Sequence, residues 1–271
     1  MSMNRSGGLR SVISTAVAAV CLSLGSGHAW AGTTPGAAPK NYKPPKSVSV
    51  SSANSLAGFY DVTGHVYLST DGAGTNDSST GIDVEKRSTQ SKVRVAYLLA
   101  ASTGFTGFHI TDGQITLNGV PVNVDESTEI ANSISSFNIR ADVTSIVKPV
   151  LDAAPVGITT LAVSEANTGQ VDGEILAVVF DDPTQPETSI NLFYGAQQTT
   201  GDQFNIRLGE PVQASNADQQ LTFALGISFG FQPSGQFSTI DVNGVRLTTS
   251  AGGAGRRRGG EWRTDHRRRA R

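Results

Sequence analysis

The stretch GEILAVVFDDP at residues 173–183 decides the fold class of this chain. Its six consecutive apolar residues, Ile175 to Phe180, favour a strand buried on both faces, because a strand covered on one face alternates apolar and polar positions. The pair Asp182-Pro183 is typical of a turn that ends a strand. The stretch therefore predicts the central strand of a layered β protein.

Short strand-like runs with turn signals between them flank this stretch on both sides. The pairs Asn118-Gly119 and Asn243-Gly244 each separate two apolar runs, as in a two-residue hairpin, because both residue types tolerate positive φ. The pattern predicts an all-β fold, a β-sandwich, with the jelly roll among its possible forms. The predicted strands cover residues 47–51, 58–69, 92–101, 105–111, 114–117, 120–124, 158–164, 174–180, 189–194, 203–208, 221–229, 239–242 and 245–247.

One short helix interrupts these strands. The apolar positions 143, 146, 147 and 150 follow the spacing of a helix, and Asp142 can cap its first turn. Pro149 is expected to limit its length.

The formal net charge of −2 is an average over three unlike segments. Residues 1–31 carry +2, residues 32–255 carry −10 and residues 256–271 carry +6. Because the middle is acidic, we expect no nucleic-acid partner. Charged residues make up only 16% and glycine 30 of 271 positions, which is typical of an extracellular β protein and argues against a coiled coil or a cytosolic helical enzyme.

The N-terminal segment has the pattern of a secretory signal peptide. Arg5 and Arg10 precede an apolar run from Val12 to Leu24, and Ala29-Trp30-Ala31 is a small-x-small cleavage site. We therefore expect residues 1–31 to be removed, leaving a secreted or cell-surface protein without a transmembrane segment. The alternative is a lipoprotein anchored through Cys21, the sole cysteine, although the residues before it match that signal poorly.

The remaining chain divides into three predicted parts. Residues 32–46 contain four prolines and are interpreted as an extended linker, and residues 47–255 as a single β-sandwich domain. The tail at 256–271, half of it arginine, is predicted to be disordered. A GC-rich back-translation of the tail, shifted by one nucleotide, gives an acidic turn, Asn-Gly and a strand-like run, so we interpret the tail as a frameshift product. The alternative is a polybasic arm for an anionic surface.

Several of these motifs resemble those of a group of secreted bacterial surface proteins of poorly characterised function. The resemblance spans about residues 90–250 and rests on turns and buried strands. It implies a secreted β-sandwich and carries no active site. Some members of the group end in a surface-sorting signal, which the frameshift would have removed here. The matching motifs are 110–113, 117–119, 141–147, 173–183 and 190–195.

Acidic loops are the first candidate sites. Asp71, Asn76, Asp77 and Asp83 bring several oxygen ligands into one glycine-containing loop, as extracellular Ca²⁺ prefers, although the spacing is not that of an EF-hand. A solvated acidic turn is the alternative.

Asp181 and Asp182 form a second acidic candidate, which could hold a cation or sugar hydroxyls or end a strand. Asp172 and Glu174 lie near by in sequence, but one pair of carboxylates among 21 acids is weak support for glycoside hydrolysis.

Two aromatic residues are candidates for ligand binding. Phe105 and Phe108 lie in a Gly/Thr-rich turn, where an exposed ring could stack on a glycan; packing in the core is the alternative.

The sequence favours a non-catalytic secreted or surface β-sandwich with a structural, adhesive or matrix role. Its expected partners are glycans or other surface and matrix proteins. A calcium- or carbohydrate-binding module is the second hypothesis. A secreted hydrolase ranks last, because no nucleophile elbow, HExxH motif or phosphate-binding loop is present.

Overall fold

The computed structural model describes residues 17–25, 48–52, 56–73, 79–132, 134–196, 203–208, 220–226 and 240–248. The predicted linker 32–46 and tail 256–271 lie outside the described residues. The helix is α1 (Thr144–Ala153). The strands are β1 (Val17–Gly25), β2 (Val48–Ser52), β3 (Ala57–Ala73), β4 (Ser79–Lys86), β5 (Lys92–Ser102), β6 (Ile115–Leu117), β7 (Val120–Pro121), β8 (Asp125–Ala131), β9 (Phe137–Asp142), β10 (Gly157–Glu165), β11 (Val171–Asp181), β12 (Glu187–Ala196), β13 (Phe204–Leu208), β14 (Gln220–Gly226), β15 (Ile240–Val242) and β16 (Val245–Thr248).

Two antiparallel sheets form the body of the molecule. The large sheet has eight strands in the order β14-β1-β12-β3-β11-β5-β9-β8, and the small sheet has four in the order β4-β10-β6-β7. The strands β2 and β13 pair with each other, as do β15 and β16. The predicted all-β, sandwich-like class with one short helix is thus confirmed.

Strand β3 curls the large sheet, because its two halves have different neighbours. Ala57 to His65 pair with β12, and Val66 to Ala73 pair with β11. The half of the sheet that contains β12 therefore turns over one face of the half that contains β11. Asn138 on β9 links the two halves where they meet, since its buried side chain donates a 3.0 Å hydrogen bond to the carbonyl of Gly195 on β12.

Strand β11 lies between two apolar cores. Its even-numbered residues Leu176, Val178 and Phe180 join the main core, which the small sheet and α1 cover. Its odd-numbered residues Ala177 and Val179 join a second core inside the curl, with Ile190 and Leu192 of β12. The prediction of a strand buried on both faces is confirmed.

The helix lies against β5 and begins close to its predicted position. Val143 occupies the cap position, while Asp142 Oδ1 accepts a 2.9 Å hydrogen bond from the Thr144 amide. The prediction that Pro149 limits the helix is wrong, because the helix runs on to Ala153 with Pro149 inside it. At its end, Lys86 Nζ donates to three backbone carbonyls, those of Leu151 at 3.0 Å, Asp152 at 2.9 Å and Ala154 at 2.8 Å.

Two further features differ from the sequence pattern. Residues 105–111, predicted as a strand, form a loop, because Phe105 and Gly107 take φ values of 68° and 67° that end an extended run. The apolar segment β1, within the predicted signal peptide, pairs with both β12 and β14 in the large sheet.

Both predicted Asn-Gly hairpins are confirmed, as β6–β7 and β15–β16.

None of the helices in the described ranges is long and apolar enough to cross a membrane.

Candidate functional site

Side chains of β3 bind the backbone of β4, and two predicted calcium ligands lie in this arrangement. Asp71 Oδ2 accepts a 2.8 Å hydrogen bond from the amide of Asp83. Ser69 Oγ accepts one of 2.9 Å from the amide of Glu85, and the Tyr67 hydroxyl repeats the contact one step further on. Because the contacts recur at every second residue, they join the large sheet to the edge of the small sheet as a ladder would.

This ladder brings Asp71 and Asp83 together on either side of residues 74–78. Thr160 Oγ1 also donates a 2.6 Å hydrogen bond to Asp83 Oδ1. Asn76 and Asp77, the other two predicted ligands, lie outside the described residues. In the described part of the chain, no three His, Cys, Asp or Glu side chains are grouped closely enough to hold a metal ion.

Asp182 is a buried anchor of the turn that follows β11. Its Oδ2 accepts hydrogen bonds from Ser88 Oγ at 2.8 Å and Ser91 Oγ at 2.6 Å, and its Oδ1 accepts from the Thr184 amide at 2.9 Å and hydroxyl at 2.6 Å. These four donors occupy the acceptor positions of a carboxylate. Burial alone would raise the pKa of Asp182, but the hydrogen bonds from Ser91, Thr184 and Ser88 outweigh it and lower that pKa.

Asp181 points to a different partner from Asp182. Its Oδ1 lies 2.8 Å from Arg94 on the neighbouring strand β5, and both side chains are substantially exposed. The two adjacent aspartates therefore do not converge on one ligand position in this structure.

The loop after β5 holds Phe105 in an unusual position. Its side chain is 68% exposed, its φ is 68°, and its amide donates a 2.6 Å hydrogen bond to the carbonyl of Ile134. A non-glycine residue at such a φ is uncommon and costs backbone energy. Phe108, the other aromatic candidate, is half-buried and packs against the main core.

His109, in the same loop, lies against an aromatic ring and a carboxylate. Its ring centroid is 3.9 Å from that of Phe137, and its Nδ1 is 2.9 Å from Glu129 Oε2. We call four residues the loop surface below: His109 with its contacts Glu129 and Phe137, and Phe105, which lies four residues before His109 in the chain. They supply an exposed aromatic ring and polar groups that can bond to hydroxyls.

The second core ends in an aromatic box that contains a cation of this chain. The guanidinium carbon of Arg140 lies 4.3 Å from the centre of the Phe59 ring, 5.8 Å from that of Tyr194 and 5.9 Å from that of Tyr97. These distances are within cation–π range, so the rings already bind a charged group. Burial, the largest influence, raises the pKa of Tyr194 and keeps it neutral.

The sequence did not predict a pair of carboxyl groups inside the main core. Glu165 ends β10 in the small sheet and is 5% exposed, and Glu174 on β11 in the large sheet is 2% exposed. Burial first, then the charge of Glu165 and a hydrogen bond with it, raise the pKa of Glu174 well above its usual range. The available signal was local: Glu165 follows Leu161 and Val163 at a position where the alternation requires an apolar residue.

Comparison of the chain with protein family models, curated proteins and solved structures found no match.

Proposed function

We propose that this protein is a secreted or cell-surface β-sandwich that acts by binding rather than catalysis, in an adhesive or matrix role. Phe105 is the observation that carries the proposal. An exposed phenylalanine gains little from burial, and its positive φ costs of order 1 kcal/mol or more. Because neither property stabilises the fold, contact with a partner is a reasonable role for the ring.

A carbohydrate is the partner class that best fits the loop surface. Aromatic rings pack against the apolar C–H face of a sugar, while a histidine and a carboxylate can bond to its hydroxyls. His109 and Glu129 supply these groups beside Phe137. Export of the chain, expected from the pattern of residues 1–31, would bring this surface to extracellular glycans.

A glycan array tests this proposal. We expect the wild type to bind a glycan and Phe105→Gly to bind it with an affinity at least about tenfold lower. The reason is that the contact between an aromatic ring and a sugar contributes on the order of 1 kcal/mol or more. Ile158→Ala is the matched control, since Ile158 is 53% exposed on the small sheet and away from this loop. Binding that Phe105→Gly leaves unchanged, or no binding to any glycan by the folded wild type, would contradict the proposal.

Calcium binding is a second candidate function, and the approach of Asp71 to Asp83 favours it. Two aspartates on neighbouring strands, Asp71 on β3 and Asp83 on β4, could supply part of an oxygen ligand set. Millimolar Ca²⁺ should then raise the Tm of the wild type through mass action and leave that of Asp71→Asn less affected. An equal Tm with Ca²⁺ and with EDTA would remove this candidate.

A secreted hydrolase remains the third alternative. The paired acids that the structure describes, Glu165 and Glu174, are closed off from solvent, so a substrate has no access to them in this conformation.

A further inference from the structure

Each of the two sheets places a buried carboxyl group at the same end of the main core. Glu165 lies on the same inward face of β10 as Leu161 and Val163, and Glu174 lies on the same face of β11 as Leu176 and Val178. Each sheet thus contributes one carboxyl group to a face whose neighbouring side chains on the same strand are apolar.

The cross-strand neighbours of the pair are apolar. Glu174 is flanked by Ala73 on β3 and Ala100 on β5, and Glu165 is flanked by Ile115 on β6. In the described ranges, no amide or hydroxyl donates a hydrogen bond to the carboxyl oxygens of Glu174. An ionised carboxylate in such surroundings is strongly disfavoured unless it is paired.

The charged residues nearest to Glu174 along β3 and β11 are acids. On β3, Asp71 shares a face with Ala73 and accepts a hydrogen bond from the amide of Asp83. The side chain of Asp83 lies on the face of β4 opposite to that of Ile82 and Val84, which join the main core. On β11, Asp172 accepts a 3.0 Å hydrogen bond from Thr103, and its pKa is raised by burial.

The cations of the adjacent strands lie at the opposite end of the core. Lys86, at the end of β4, pairs with Gly157, eight residues before Glu165, which corresponds to a distance of about 26 Å along β10. Lys92 and Arg94, at the start of β5, lie beside Asp181. The strand β6 carries no charged residue.

We propose that Glu165 and Glu174 share one proton and form a pH-dependent clasp, which holds the two sheets together in acid and weakens as the solution becomes alkaline. A protonated carboxyl donates a short, strong hydrogen bond to an ionised partner. Two ionised carboxylates in the same apolar site would repel each other, so loss of the shared proton reverses the sign of the contact.

The direction of the pH effect follows from the raised pKa of Glu174. Burial is its largest cause, followed by the negative charge of Glu165 and the hydrogen bond to it. In the unfolded chain the same group has an ordinary pKa. The clasp therefore contributes fully to the stability of the fold at pH values below the ordinary pKa of the unfolded chain. This contribution is lost as the pH rises through the higher pKa that Glu174 has in the folded state.

The test is the Tm of the full chain between pH 5 and pH 10. Glu174→Gln places an amide that donates to the Glu165 carboxylate and does not titrate. At each pH we take the Tm of this variant minus the Tm of the wild type. We expect this difference to be at least about 5 °C larger at pH 9 than at pH 6. Glu187→Gln, at an exposed position that opens β12, should follow the wild type throughout.

Equal pH dependence of the wild type and Glu174→Gln would overturn the proposal. So would a Tm in alkali that Ca²⁺ restores in the wild type but not in the variant, because a cation would then hold the pair instead of a proton. If Glu174→Gln fails to fold, Glu165→Gln makes the same prediction from the other sheet. If both fail, infrared spectroscopy of the wild type decides: a protonated carboxyl band that persists at neutral pH is expected, and its absence overturns the clasp.

Discussion

Ser91 donates a 2.6 Å hydrogen bond to the buried carboxylate of Asp182, and so fixes the turn before β5 to the end of β11. The two residues are 91 positions apart, and the central strand of the large sheet cannot shift along β5 without breaking this bond. The Asp-Pro motif that marks the end of a strand in the sequence therefore also fixes its register.

Replacement of Asp182 by alanine should destabilise the protein strongly. It removes the acceptor of four hydrogen bonds and leaves the buried hydroxyl of Ser91 without its acceptor, so we expect a loss of about 3 kcal/mol in the free energy of unfolding. Asp181→Ala is the adjacent control and should cost about 1 kcal/mol or less, because its ion pair with Arg94 is exposed. Urea unfolding measures both, and similar losses in the two variants would show that Asp182 is not the anchor.

The same carboxylate predicts the behaviour of the protein in acid. Burial opposes ionisation of Asp182, but the hydrogen bonds from Ser91, Thr184 and Ser88 outweigh it, so its pKa is lower in the folded state. The ionised Asp182 carboxylate therefore contributes to the stability of the fold above about pH 4. This contribution is lost as the pH falls through the lower pKa that Asp182 has in the folded state. Asp182→Asn should be less stable than the wild type at pH 6, with the difference shrinking toward pH 2. A constant difference in Tm across this range would contradict the assignment.

Replacement of Lys86 by methionine should loosen the end of the helix. Methionine keeps the apolar stem and similar length of the lysine side chain. It lacks the ammonium group that donates to the carbonyls of Leu151, Asp152 and Ala154. We expect a loss of about 2 kcal/mol and faster hydrogen exchange in α1. Lys92→Met is the control, because Lys92 makes a single contact of 3.4 Å to the carbonyl of Asp152. Unchanged exchange in Lys86→Met would rule out this role of the ammonium group.

Substitution of Phe105 should separate binding from stability. Phe105→Gly removes the ring and relieves the positive φ, so we expect the free energy of unfolding to rise by up to about 1 kcal/mol while glycan binding is lost. Phe105→Ala also loses the ring but keeps a Cβ at that φ, and should therefore be less stable than Phe105→Gly. Thermal unfolding compares the two, and a lower Tm in Phe105→Gly would mean that the ring supports the fold.

Local patterns predicted the parts of the fold that depend on local physics. The six apolar residues of β11 require burial on both faces, and Asn118-Gly119 and Asn243-Gly244 supply the positive φ values of two tight turns. The strands β4 and β8 escaped prediction because their sequences, STGIDVEK and DESTEIA, are polar and small enough to resemble loops. In β4, the apolar residues that turn toward the core are Ile82 and Val84.

The candidate sites depend on contacts that a local pattern does not contain. Glu174 was noticeable as an acid at the entry of a buried strand, but its partner Glu165 lies on the other sheet and is found only once the sheets are stacked. The loop 105–111 carries β-forming residues and was predicted as a strand for that reason. Its actual course is set by the positive φ of Phe105 and by the bond from its amide to Ile134.

The place of β1 in the large sheet gives the predicted signal peptide a second role. An apolar run satisfies the requirements of a translocation channel and of a sheet interior alike. In the full chain it lies between β12 and β14. Processing after Ala31, as the sequence predicts, would remove it and leave these two strands about 10 Å apart, two strand spacings, each with an open row of amides and carbonyls. Maturation would then alter the topology of the protein as well as its length, and the processed form would need either to close this gap or to accept a strand from elsewhere.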